Sequence, residues 1–224
     1  ITYWSEEDLQ YDMKYKTSAR KPFSFAGKYA LFIGDSITRG YTQAGNITEN
    51  NFPKLFSQAV GMPYNINTNV NASAGSCFTP NLNEVTTIPT KVASIDTTNP
   101  PDFLFIAGGI NDWQLNAGMN GFKQAIWDMF TWINANIPNT KVIIITPIRA
   151  AEQAWRDAHS GSLIGVGCLK NYADAIYEIA KRKDNGNYTI VCGFDFGFPS
   201  DNADSAYVSA MYGDYLHPSE RGYA

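Results

Sequence analysis

An α/β fold, with a central, mainly parallel sheet and helices on both faces, is what this sequence predicts, on three observations. Short continuous apolar runs recur along the chain, helical periodicity fills stretches between them, and small, polar, turn-forming residues close the runs. Continuous apolar runs mark strands buried on both faces, and strands alternating with helices imply parallel pairing through right-handed crossovers.

The first run is Tyr29-Ala30-Leu31-Phe32-Ile33, followed by Phe103-Leu104-Phe105-Ile106-Ala107, Val142-Ile143-Ile144-Ile145-Thr146 and Thr189-Ile190-Val191. A weaker strand is expected over residues 64–70, where Asn alternates with Tyr, Ile, Thr and Val. Helices are expected over 119–136, where Met119, Phe122, Ile126, Phe130 and Ile133 share one face, and over 167–182, carrying Tyr172, Ile176 and Ile179. Residues 1–27 show no sustained period, and Pro22 and Gly27 mark a break, so they read as an N-terminal extension or linker before one domain over 28–224.

Composition narrows the function classes. The 224 residues are 44% hydrophobic and only 17% charged, against about 25% in an ordinary globular protein, which excludes disorder. Seventeen basic and twenty-one acidic residues give a net charge of −4, and the Lys181-Arg182-Lys183 run suits a solvated helix C-terminus, so a nucleic-acid partner is disfavoured. No apolar stretch approaches the length of a membrane span. Cys77, Cys168 and Cys192 show no zinc or redox spacing and exclude a disulfide scaffold, while one bridge stays open. The start, Ile1-Thr2-Tyr3-Trp4, reads as that of a processed or excised piece. Low charge with abundant Asn, Thr and Tyr suits an extracellular or virion- or cell-surface-associated protein, with the cytoplasm as the alternative.

In parallel sheets, ligands bind beyond the carboxyl ends of the strands, so the residues closing each run are the candidates for chemistry. After the first strand comes Gly34-Asp35-Ser36-Ile37, which puts a serine at a strand-to-helix turn, where it is either an exposed nucleophile or an ordinary helix cap. After the second candidate strand comes Asn71-Ala72-Ser73-Ala74-Gly75-Ser76, a loop small enough to bring a backbone N–H close to a ligand. The third closes with Gly108-Gly109-Ile110-Asn111-Asp112-Trp113, whose Asn is a suitable donor to an oxyanion or the start of an Asx-turn. Near the end stands Asp214-Tyr215-Leu216-His217-Pro218, in which an Asp three residues before a His can fix its tautomer. Each block is common alone, but together they supply the different parts that acyl transfer requires.

The set resembles the SGNH hydrolases, the GDSL esterase and lipase family, with Gly34-Asp35-Ser36, Gly75, Gly109-x-Asn111-Asp112 and Asp214-x-x-His217 in family order. The resemblance spans residues 29–223, and one departure is Ile37 where the GDSL motif has Leu. It implies a three-layer α/β/α sandwich of flavodoxin-like type. It also implies Ser36 as nucleophile, His217 as general base and then acid, and Asp214 as its orienting partner. The oxyanion donors it implies are the Ser36 and Gly75 N–H groups and the Asn111 side chain, with no metal or organic cofactor.

Asp35 and Asp112 are assigned to the support of loop N–H groups, and Cys77 to packing. His159 lacks an Asp three residues before it and reads as a loop residue. Trp113 and Trp155 are candidate substrate-binding aromatics, since such faces suit sugar rings, although core packing is their commoner fate. The expected activity is hydrolysis of short-chain acyl esters, O-acetyl above all, on a small-molecule or polysaccharide substrate. The alternatives are a lysophospholipase or longer-chain lipase, a thioesterase, or a glycan-binding module without turnover.

Overall fold

A computed structural model describes residues 25–42, 46–150, 168–195, 198, 211, 212, 214 and 216–223. Five strands form one sheet, β1 (Ala30–Gly34), β2 (Val70–Ala72), β3 (Phe103–Ala107), β4 (Lys141–Ile145) and β5 (Tyr188–Val191). Their spatial order is β2-β1-β3-β4-β5 and every pairing is parallel. This is the flavodoxin-like doubly wound order, whose switch point falls between β1 and β3, beside the turn that carries Ser36.

The helices among the described residues are α1 (Ser36–Arg39), α2 (Phe52–Val60), α3 (Ile66–Asn69), α4 (Ile88–Ala93), α5 (Ile110–Gln114), α6 (Met119–Asn136), α7 (Leu169–Lys183) and α8 (Glu220–Tyr223). Strand residues alternate between two cores. Ile33, Leu104, Ile106, Val142 and Ile144 meet Ile88, Phe122, Ile126, Phe130 and Ile176 on the α4, α6 and α7 face. Phe32 and Phe105, with Ile143 and Ile145, meet Phe52 and Phe56 of α2 on the other. Phe32 and Phe105 stack at 4.4 Å, and Phe56 stands edge-on to Phe105 at 4.8 Å. Burial on both faces explains why these strands lack polar alternation.

The expected elements at 103–107, 119–136 and the remaining apolar runs stand where the sequence places them, within a residue or two at each end. Residues 64–70 differ, because Ile66–Asn69 is a helical turn and the strand is only Val70–Ala72. The asparagines there bond the backbone: Asn65 Oδ1 accepts the Asn67 N–H at 2.9 Å, and Asn69 Nδ2 donates to the Ala30 carbonyl at 2.7 Å. Side chains that satisfy local backbone groups compete with a strand ladder, and here they win. No helix among the described residues is long and apolar enough to cross a membrane.

Candidate active site

The turn after β1 depends on close approach. A Cβ on Gly34 would lie 2.7 Å from the Ala107 carbonyl oxygen, so glycine alone lets the ends of β1 and β3 converge. Asp35 then takes an extended conformation and caps α1, its Oδ1 accepting the Ile37 N–H at 2.9 Å. Ser36 is the first residue of that turn, which Gly40 ends with φ +95°. Burial drives the Asp35 carboxyl up to about 6, held back by the Ile37 N–H and the nearby His217.

From the other end of the chain, Asp214 and His217 complete a hydrogen-bonded line to this serine. Asp214 Oδ1 accepts the N–H groups of His217 at 2.7 Å and Leu216 at 3.2 Å, while Oδ2 lies 2.8 Å from His217 Nδ1. His217 Nε2 lies 2.8 Å from Ser36 Oγ. With the Nδ1 proton committed to Asp214, Nε2 accepts the serine O–H. Burial pushes the Asp214 carboxyl up, but the ring and backbone hydrogen bonds from His217, its charge and the Leu216 N–H outweigh this, so it sits below its ordinary value. The segment is fastened by the bridge between Tyr212 and Pro218 and by Tyr223, whose hydroxyl lies 3.0 Å from the Ile37 carbonyl and 2.8 Å from that of Tyr41.

The neighbouring strands deliver the donors. Gly34 pairs with Ala72 in register, so the loop after β2 emerges beside Ser36, and the Ser73 N–H donates to the Gly34 carbonyl at 3.3 Å. Gly75 has φ +78°, and among the described residues no acceptor takes up its N–H or that of Ser36. Asn111, in the first turn of α5, donates from Nδ2 to the Ser76 carbonyl at 3.1 Å, which ties the loops after β2 and β3 together. Asp112 is fully buried and accepts the N–H groups of Phe78 at 2.9 Å and Thr79 at 2.8 Å. Burial raises its carboxyl against those hydrogen bonds. Asp35 and Asp112 thus hold loop N–H groups, as expected of them.

The structure links Ser36 to His217 and His217 to Asp214, and joins Asn111 to the loop of Gly75. Trp113 is a correction: it is 0% exposed in the core among Ile110, Phe122 and Ile176, so its ring offers no face to a sugar. The helical turn after Gly109 directs Asn111 toward the loops and Trp113 into the interior. Trp155 and His159 lie outside the described residues. None of the three cysteines is in a disulfide; Cys77 is buried, while Cys168 and Cys192 are exposed. Sequence reasoning missed Lys91, Ser76 and Tyr223, which bind the loops together. Among the described residues no group of three or more His, Cys, Asp or Glu is placed to hold a metal ion.

Fold and family together define an ester-cleaving hydrolase. The sequence matches the model of the GDSL-like lipase/acylhydrolase family over residues 32–224, and the chain belongs to that family. No curated protein matches it. Among solved structures, a Lactobacillus plantarum protein is 18% identical with a TM-score of 0.68, covering 90% of this chain and 92% of that one. A family two carbohydrate esterase from Clostridium thermocellum, solved in complex with cellohexaose, is 21% identical with a TM-score of 0.60, covering 92% of this chain and 62% of that one. An acetyl xylan esterase from the rumen bacterium Butyrivibrio proteoclasticus is 13% identical with a TM-score of 0.56, covering 90% of this chain and 61% of that one. This chain therefore spans less than two thirds of either esterase, and at these identities the likeness establishes the fold.

Proposed function

We propose that the chain is a serine esterase that removes short acyl groups, acetyl foremost, from a carbohydrate, with Ser36 as nucleophile. The observation that carries the mechanism is the line Asp214–His217–Ser36, with 2.8 Å at each side-chain link. His217 Nε2 takes the proton as Ser36 Oγ attacks the ester carbonyl carbon, and Asp214 stabilises the imidazolium that forms. The carbonyl oxygen becomes an oxyanion facing the Ser36 and Gly75 N–H groups and the second Nδ2 hydrogen of Asn111. Collapse breaks the bond to the alkoxy oxygen, which leaves as the alcohol with the His217 proton and creates an acyl-Ser36 ester. Water, deprotonated by His217, then attacks that ester, releasing the acid and restoring Ser36.

The carbohydrate assignment draws support from the two carbohydrate esterases that share the fold. A polymeric substrate of that kind is met outside the cell or on a surface, which suits the low-charge composition. The test is acetate release from acetylated xylan, alongside p-nitrophenyl acetate and octanoate, by the wild type, Ser36→Ala and His217→Ala. Acetate release that both substitutions abolish is the expected result. A preference for octanoate moves the substrate to longer acyl esters, and failure of a fluorophosphonate to label Ser36 reduces the chain to a binding module.

A further inference from the structure

Lys91 of α4 is, among the described residues, a buried cation that the proposed chemistry does not use. Its residue is 3% exposed, although lysine is almost never buried without partners. Its ammonium donates to the Gly34 carbonyl at 3.1 Å and to Ser76 Oγ at 2.7 Å. The Ser76 hydroxyl in turn donates a hydrogen bond to the Thr86 carbonyl at 3.1 Å, and the Ser76 carbonyl is the acceptor for Asn111. One cation therefore touches the strand end that leads to Ser36 and the loop that carries Gly75, and it is one residue removed from Asn111.

We propose that Lys91 is a positioning residue for the oxyanion site, locking the Ser36 and Gly75 loops together and placing a fixed positive charge behind their N–H donors. This rests on the serine-esterase reading above. An ammonium in that place costs desolvation that an apolar side chain would avoid, so stability alone does not account for it. A charge preorganised beside a developing oxyanion favours the transition state over the bound ester, which predicts an effect on kcat rather than on KM. Burial pulls the ammonium down to about 8, and the Asp35 carboxylate, facing it from the end of β1, opposes that fall. Asp112 is turned instead to the Phe78 and Thr79 N–H groups. The cation is therefore lost at mildly alkaline pH.

The experiment measures kcat and KM for p-nitrophenyl acetate from pH 6 to 10, with thermal unfolding in parallel, for the wild type, Lys91→Met, Ser76→Ala and Ser36→Ala. The expected result is a kcat about 10- to 100-fold lower in Lys91→Met at pH 7, with KM within about threefold. Wild-type kcat falls above pH 8, and that fall is missing from Lys91→Met. Ser76→Ala, which keeps the charge and removes one of its acceptors, loses about three- to tenfold in kcat and carries the test if Lys91→Met does not fold. A Lys91→Met protein with kcat within twofold of wild type, or an unaffected Ser76→Ala, overturns the proposal. Activity surviving in Ser36→Ala overturns the serine-esterase reading instead, and inactive Ser36→Ala beside fully active Lys91→Met overturns only the role of Lys91.

Discussion

The Asn111 side-chain amide donates one hydrogen to the Ser76 carbonyl at 3.1 Å, and that single bond fixes the direction of the other. An amide anchored by one N–H is preorganised to offer its second without reorganisation, the condition under which an oxyanion donor is most effective. Asn111→Ala is expected to lower kcat on the order of a hundred- to a thousandfold with little change in KM. Asn111→Asp is expected to be worse, since it turns a carboxylate toward both the Ser76 carbonyl and the developing negative charge. Steady-state kinetics on p-nitrophenyl acetate check both, and an aspartate variant as active as the alanine variant would falsify the donor role.

Asp35 makes a separate prediction about stability. Burial raises its carboxyl from 3.8 to about 6, so between pH 4 and 6 the folded protein holds a proton that the unfolded chain has released. The contribution of this group is therefore most favourable below pH 4 and declines as pH rises through 6, costing about 3 kcal/mol by pH 7. An Asn at this position keeps an oxygen to cap the Ile37 N–H and carries no charge. Asp35→Asn is expected to be about 1–3 kcal/mol more stable than wild type to urea at pH 7 and equal to it at pH 4. A stability difference that does not change with pH would sink this account.

Much of the fold was legible because its signals are local. Phe103–Ala107 is a strand buried on both faces, so five apolar residues in a row identify it without knowledge of its neighbours. The Ser, Gly, Asn and His blocks were legible because strand ends define where to look and acyl transfer defines which side chains to find. Residues 66–69 were misjudged because apolar-polar alternation counts side-chain types and ignores that asparagine can bond its own backbone. Helices α2 and α4 passed unremarked, although Asn51 and Thr87 each cap a helix with Pro at its start, a signal open to sequence reading. Lys91 had no such signal. A lysine in a short helix reads as solvated, and its burial follows only from the meeting of β1, the Ser76 loop and α4.

Trp113 tests the correction made for the aromatic residue beside Asn111. Because its ring is fully buried in the core cluster that also holds Ile110, Phe122 and Ile176, a smaller side chain leaves a cavity in the core and leaves the substrate surface unchanged. Trp113→Phe is expected to lose about 1–2 kcal/mol of stability, while KM for an acetylated sugar stays within about twofold. A KM that rises several-fold at unchanged melting temperature would return the ring to the substrate.

Cys77 offers the last test, because it sits two residues beyond Gly75. It is 1% exposed, and its thiol lies 3.3 Å from the Gly75 carbonyl. Burial and then the charges of Asp112 and Asp35 push that thiol far above its ordinary range, so almost none of it is thiolate at neutral pH. Cys168 and Cys192 are exposed. Ellman's reagent at pH 8 is expected to titrate two thiols in the native protein and the third only in denaturant. Alkylation of the native protein with iodoacetamide should then leave ester hydrolysis intact, because the proposed mechanism uses the Ser36 hydroxyl, and no thiol, as nucleophile. Activity lost in step with alkylation of a third thiol would mean that the Gly75 loop opens during turnover and exposes Cys77.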